Sequence, residues 1–194
     1  MKKLLIVPAL LALFATAAAE SRFFLAIGAN YIRPADEAYR TVYGSQAIYP
    51  GISAAIRLVG GLCLTGSAGR YSKNGATPDL GLETQATQSY FTAGLGYMLR
   101  VSRLVCLEAG AGWAGLTFSE EALGASITGS RSGLMAEGGL SIVPEEERVF
   151  LSLKLGYLSA QVDDLDSELA GPQSVRLGGL RFAVSVGIQL FGND

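Results

Sequence analysis

Leu180-Arg181-Phe182-Ala183-Val184-Ser185-Val186-Gly187-Ile188-Gln189-Leu190 alternates bulky apolar residues with small or polar ones from end to end. Leu180, Phe182, Val184, Val186, Ile188 and Leu190 share one face; Arg181, Ala183, Ser185, Gly187 and Gln189 share the other. A period of two is the mark of a strand whose faces meet different surroundings. Working back from this stretch, the same alternation recurs. Val149, Leu151, Leu153, Leu155 and Tyr157 oppose Ser152, Lys154 and Gly156, and Val105, Leu107, Ala109, Ala111 and Trp113 oppose Cys106, Glu108, Gly110 and Gly112. Phe91, Ala93, Leu95, Tyr97 and Leu99 oppose Thr92, Gly94, Gly96 and Arg100, and Ile48, Ile52, Ala54, Ile56 and Leu58 oppose Gly51, Ser53, Ala55 and Arg57. Weaker versions over 22–33, 60–72 and 130–143 bring the strands to eight.

The connections alternate in length. Tight turns fall near Val59–Gly61, Val101–Arg103 and Pro144–Glu147, and longer polar segments occupy 34–46, 73–85, 119–129 and 163–175. Short turns on one rim and long loops on the other predict an all-β, eight-stranded antiparallel up-and-down barrel that crosses a membrane, with the turns periplasmic. Residues 1–19 read as a cleaved signal peptide: Lys2 and Lys3, an apolar run from Leu4 to Phe14, then Ala17-Ala18-Ala19. Residues 20–194 are the barrel domain. No later apolar stretch reaches helical-span length, so a membrane location requires a closed barrel.

The faces orient the strands. Eight strands enclose a lumen only just wide enough for side chains, and rows such as Phe182 to Leu190 would overfill it. We therefore expect Leu151, Leu153, Leu155, Phe182, Val184, Val186, Ile188 and Leu190 to face lipid, with the small residues inside. Arg57, Arg100, Glu108, Glu137, Lys154 and Arg181 fall on the inward parity and are expected to form an ionic network that plugs the lumen. A cation facing lipid near the midplane would cost about 2–4 kcal/mol. Phe23, Tyr31, Phe91, Tyr97, Trp113 and Tyr157 fall on the outward parity, several close to strand ends, as the aromatic girdles of a spanning barrel do.

The whole of 20–194 resembles the small eight-stranded outer-membrane barrels, the group of OmpA-type transmembrane domains, OmpX and opacity-type surface proteins. Its amphipathic last strand, Val186-Gly187-Ile188-Gln189-Leu190-Phe191, carries much of that resemblance. The chain departs from the group by placing Gly192-Asn193-Asp194 after the terminal aromatic. The resemblance implies the bacterial outer membrane as address, its lipid and lipopolysaccharide as surroundings, and the barrel-assembly machinery as a partner during biogenesis.

Chemistry is largely excluded by composition. The chain has no histidine, which removes Ser-His and Cys-His nucleophile pairs and His-ligated metals. Related barrel enzymes use histidine, so no enzyme and no cofactor is expected. A net charge of −2 argues against a nucleic-acid partner. Asp163-Asp164-Leu165-Asp166-Ser167-Glu168 alternates carboxylates but has Leu169 where a calcium loop needs glycine; no metal is expected. Cys63 and Cys106 share the inward parity with a strand between them, too far apart for a bridge, so two buried thiols are expected. The expected function is a plugged, non-enzymatic barrel with a structural role or a surface-interaction role through its loops. The alternative is a narrow passage for ions or a small apolar molecule, as in OmpW-like barrels, using the space beside Gly94, Gly96, Gly110, Gly112, Gly138 and Gly139.

Overall fold

A computed structural model describes residues 22–77, 81–122, 125–144, 148–162 and 175–190. The signal peptide over 1–19, its cleavage point, most of the 163–175 loop with its carboxylates, and Phe191 lie outside the described residues. Eight strands close into one barrel with every neighbour antiparallel and consecutive. They are β1 Phe23–Pro34, β2 Ala47–Arg57, β3 Leu62–Ala76, β4 Glu83–Arg100, β5 Val105–Ala122, β6 Ala125–Ile142, β7 Val149–Val162 and β8 Val175–Leu190. The cylinder shuts through β1 and β8, where Phe23 pairs with Leu190 and Tyr31 with Phe182.

The outward rows are exposed as the alternation predicts. Leu151, Leu155, Phe182, Val184, Val186 and Ile188 all stand on the outer surface, while Leu153 and Leu190 are half-buried. Together with Ile27, Ile52, Leu64, Leu95, Leu107 and Leu140 they form a continuous apolar belt. An exposed apolar surface of this extent has no place in water. The belt ends sharply at one height: Tyr31, Trp113 and Tyr157 are each followed on the same face by Arg33, Gly115 and Ser159, and Phe91 is preceded by Ser89. Phe91 and Trp113 meet edge to face at 4.7 Å there. Phe23 and Tyr97 lie near the opposite, tight-turn end, paired with Ile56 and Leu62.

Two of the expected loops are shorter than the alternation suggested, and a third carries a helix. Segment 73–85 is strand up to Ala76 and again from Glu83, and 119–129 is strand except for residues 123–124. Segment 34–46 contains a short helix, α1 Glu37–Tyr43. The two strand extensions follow from an inversion of the faces. Above the apolar belt, Tyr71, Leu116 and Phe118 point inward and are buried, while Ser72, Thr117 and Thr128 point out. A pattern keyed to bulk on the outward face loses the strand where water replaces the apolar surroundings.

The inversion has a structural consequence. Pairing of β2 with β3 stops at Gly51–Gly69, and that of β6 with β7 at Leu134–Ser159. The β3–β4 and β5–β6 hairpins continue to Ala76–Glu83 and Ala122–Ala125. Strands β3 to β6 therefore rise beyond the belt as a four-stranded ribbon. Helix α1 leans on its β3 edge, close enough that a Cβ at Gly75 would lie 2.5 Å from the Val42 carbonyl oxygen.

Within the barrel wall, Gly94 and Gly112 pair across β4 and β5. A Cβ on Gly94 would stand 2.4 Å from the Ala111 carbonyl, and one on Gly112 2.3 Å from that of Ala93. Backbone cannot yield cheaply at such distances. Gly94→Val should abolish the heat-shifted folded band on unboiled gels. Gly138→Ala, whose Cβ meets nothing closer than 3.5 Å, should retain it.

Candidate functional site

Chemistry-bearing side chains of the described residues converge in the lumen, which is built in three layers. At the tight-turn end, Phe24 meets Phe150 edge to face at 5.6 Å, packed with Ala26, Cys106 and Val143 and flanked by Met98. Alternation explains each position: Phe24 is the inward neighbour of Phe23 and Leu25, and Phe150 that of Val149 and Leu151. The sequence reading reserved the interior for small residues and did not single out these aromatics. The signal was present in the parity, but the apolar residues on both sides of each blurred it.

The middle layer is ionic. Lys154 Nζ lies 2.9 Å from Glu108 Oε2 and 3.2 Å from Glu137 Oε1. Arg181 Nη2 lies 2.8 Å from Glu137 Oε2. Strands β5, β6, β7 and β8 each contribute one charge, so the cluster ties four consecutive strands across the interior. Neutral groups complete it. Ser141 Oγ donates to Glu108 Oε1, and Arg181 Nη1 donates to Ser67 Oγ at 3.3 Å. The Arg181 guanidinium also stands 5.4 Å from the Tyr90 ring centre, a cation–π contact. Two acids and two bases neutralise one another, which is the condition under which charges tolerate removal from water.

Arg57 and Arg100 do not join this cluster, a correction to the expected network. Each is the last residue of its strand, β2 and β4, and therefore sits at the tight-turn mouth rather than at mid-height. Arg57 Nε donates to the Gly60 carbonyl, and Arg100 Nη1 donates to the Arg103 carbonyl at 3.1 Å. Cys63 and Cys106 are both buried with free thiols.

The third layer lies beyond the apolar belt and was absent from the sequence reading. Tyr49 stacks on Tyr71 at 5.0 Å and meets Tyr90 edge to face at 5.7 Å. Helix α1 inserts Tyr39 and Tyr43 above them, the two rings 4.7 Å apart, with Phe118 beside Tyr39 at 6.3 Å. Leu116, Met135, Leu158 and Ile32 fill the remainder. Asp36 caps the helix by accepting from Tyr39 N at 2.9 Å and accepts from Arg176 N of β8 at 3.1 Å. Tyr43 Oη donates to Glu120 on β5. These bonds strap α1 across the mouth from β8 to β5. Burial pushes the Tyr39 phenol up to about 12 and raises that of Tyr43 as well, so both rings stay uncharged in neutral water.

A cavity of about 60 Å³ remains beside the ion pairs, lined among others by Asn30, Thr92 and Ser152. That is room for a few water molecules, and Ser152 Oγ, buried without a protein partner, is one group they would satisfy. Among the described residues no group of three His, Cys, Asp or Glu side chains is placed to hold a metal ion.

No protein-family model matches the chain, and no curated protein matches it. Solved structures do. The outer membrane protein OprG from Pseudomonas aeruginosa superposes with a TM-score of 0.73 at 13% identity, over 90% of this chain and 98% of that one. Neisserial surface protein A superposes with a TM-score of 0.63 at 18% identity, over 87% and 97%. Ail, the attachment invasion locus protein of Yersinia pestis, superposes with a TM-score of 0.57 at 14% identity, over 88% and 99%, in a complex with the heparin analogue sucrose octasulfate. At these identities what is shared is architecture. The chain has the fold of the small eight-stranded outer-membrane β-barrels.

Proposed function

We propose that this chain is a non-enzymatic barrel of the bacterial outer membrane, its lumen closed by its own side chains, which anchors the β3–β6 ribbon outside the lipid as a surface for contact. The stacking of the ionic cluster between two aromatic layers carries the closed reading. Ions crossing the barrel would have to break the Glu137 pairs and displace both Phe24 and the α1 tyrosines. Of the glycines that favour a passage, Gly94 and Gly112 abut backbone of the neighbouring strand, which supports the closed reading.

The ribbon supports the contact role. Its outward face carries Ser72, Asn74, Gln85, Thr87, Thr117 and Thr128, and cross-strand bonds such as Gln85 Nε2 to Asn74 Oδ1 at 3.1 Å join its strands. Among the described residues the β6 edge beyond Leu134 has no pairing to β7, and an unpaired edge is where an extended partner segment adds a strand. Ail, with its bound heparin analogue, is a fold-level analogy for surface recognition and nothing closer.

Purified protein in a planar lipid bilayer should give no steady single-channel openings. Reproducible unitary currents from the wild-type chain would overturn the closed reading in favour of the narrow passage. Fractionation should place a heat-shifted band in the outer membrane.

A further inference from the structure

The outward face of the β3–β6 ribbon is ordered in ranks. Arg70, Ser89, Thr117 and Ser130 are cross-strand partners from β3 to β6, and Ser72, Thr87, Ser119 and Thr128 form the next rank away from the lipid. All eight fall on the outward parity, and only Arg70 carries a charge. A sheet face that meets water alone is ordinarily mixed with long charged side chains. Serine and threonine are shorter and lose less rotamer freedom on contact than lysine or glutamate do. Ser72 Oγ and Thr87 Oγ1 are already set in position by their 3.0 Å hydrogen bond. The ranks offer donors and acceptors spaced about 4.8 Å apart between strands and about 7 Å along them.

Height decides what meets them. Phe91 marks the edge of the apolar belt on β4, and Ser89 and Thr87 are the next two outward residues beyond it. At about 3.4 Å per residue on strands tilted about 40°, they stand roughly 5 and 10 Å above that edge. The polar headgroup zone of a phospholipid leaflet is only about 5–8 Å deep. The Ser89 rank therefore lies at the level of lipid phosphates, with Arg70 beside it, and the Thr87 rank stands above a phospholipid headgroup. A lipid whose headgroup continues upward as a saccharide reaches both. We propose that this face binds the phosphorylated saccharide of a glycolipid in the surrounding leaflet. The phosphate takes the Arg70 guanidinium, whose fork of N–H donors matches its oxygens, and the sugar hydroxyls take the serine and threonine ranks. The proposal rests on the reading of the ribbon as a contact surface outside the lipid, and names its partner.

The test follows alkylation of Thr128→Cys in the processed protein by a membrane-impermeant maleimide. The protein is held in nanodiscs of phosphatidylcholine alone, with added phosphatidylglycerol, or with added lipopolysaccharide. Cys63 and Cys106 are buried, so the reagent reads the introduced thiol, and heat-shifted gel mobility verifies folding. Lipopolysaccharide should slow the reaction about tenfold, equivalent to nine-tenths coverage of the face, and phosphatidylglycerol should not. Adding Arg70→Gln, or Thr87→Val together with Thr117→Val, should remove most of that slowing. Thr41→Cys, exposed on α1 and off this face, should react at one rate in all three discs. Equal Thr128→Cys rates in all three discs, equal slowing by phosphatidylglycerol, or equal slowing of Thr41→Cys by lipopolysaccharide overturns the proposal. So does full protection in phosphatidylcholine by the delipidated core saccharide, which would assign the face to a soluble glycan. A folded protein whose Thr128→Cys thiol stays unreactive even in phosphatidylcholine would overturn the contact reading of the ribbon itself, and this proposal with it.

Discussion

Glu137→Ala should destabilise the folded barrel by about 3–5 kcal/mol, the range found when one partner of a buried ion pair is removed. The measurement is urea-induced unfolding in lipid vesicles, followed by tryptophan fluorescence from Trp113. Glu137 is the shared acid: Oε1 serves Lys154 and Oε2 serves Arg181. Lys154 retains Glu108 when Glu137 is lost. Arg181 does not have that recourse. Only 4% exposed, it is left with the Ser67 hydroxyl and the face of Tyr90, neither of which carries a compensating charge. Lys154→Met should cost less, because Glu137 keeps Arg181 and Glu108 keeps Ser141. The double variant should lose less than the sum of the singles, since the two residues act through one network. Strictly additive losses would show that the groups are solvated separately and that the middle layer is no plug.

The second large effect tests the orientation of the strands. Leu155→Arg, on β7 in the middle of the apolar belt and 55% exposed, should cost about 2–4 kcal/mol in the same assay. Ser159→Arg lies on the same face of the same strand, beyond Tyr157, and should cost about 0–1 kcal/mol. The contrast isolates surroundings from everything else, because both side chains point away from the lumen and neither position is packed. In a water-soluble barrel both substitutions would be harmless surface changes. Equal, small effects would therefore remove the lipid from the description altogether.

Residues 180–190 illustrate how much of this molecule is local. Their alternation sets the strand, its faces and its partners, because a period of two allows one register per buried face. Tyr157 and Trp113 mark the belt's upper edge for the same reason: each is the last bulky outward residue before polar ones begin. Glu108, Glu137, Lys154 and Arg181 could be assigned to one interior from parity alone. What parity cannot supply is height. Arg57 and Arg100 share the inward face with the ionic cluster, yet the ends of β2 and β4 hold them at the mouth.

Where the surroundings stop being constant, local pattern stops being readable. Tyr71, Leu116 and Phe118 look like errors in an outward-apolar code, and they are its mirror image once the strands leave the belt. Helix α1 is invisible for another reason. With only about two turns, strapped by Asp36 and Tyr43, its stability comes from the tyrosine layer below it rather than from its own residues. The sequence by itself determined the strand count, the closure and, within the apolar belt, which face of each strand meets lipid, since those follow from period and sterics within a strand. The tertiary structure alone decided which inward groups meet, because meeting depends on the stagger between strands, a property of the closed cylinder that no single segment contains.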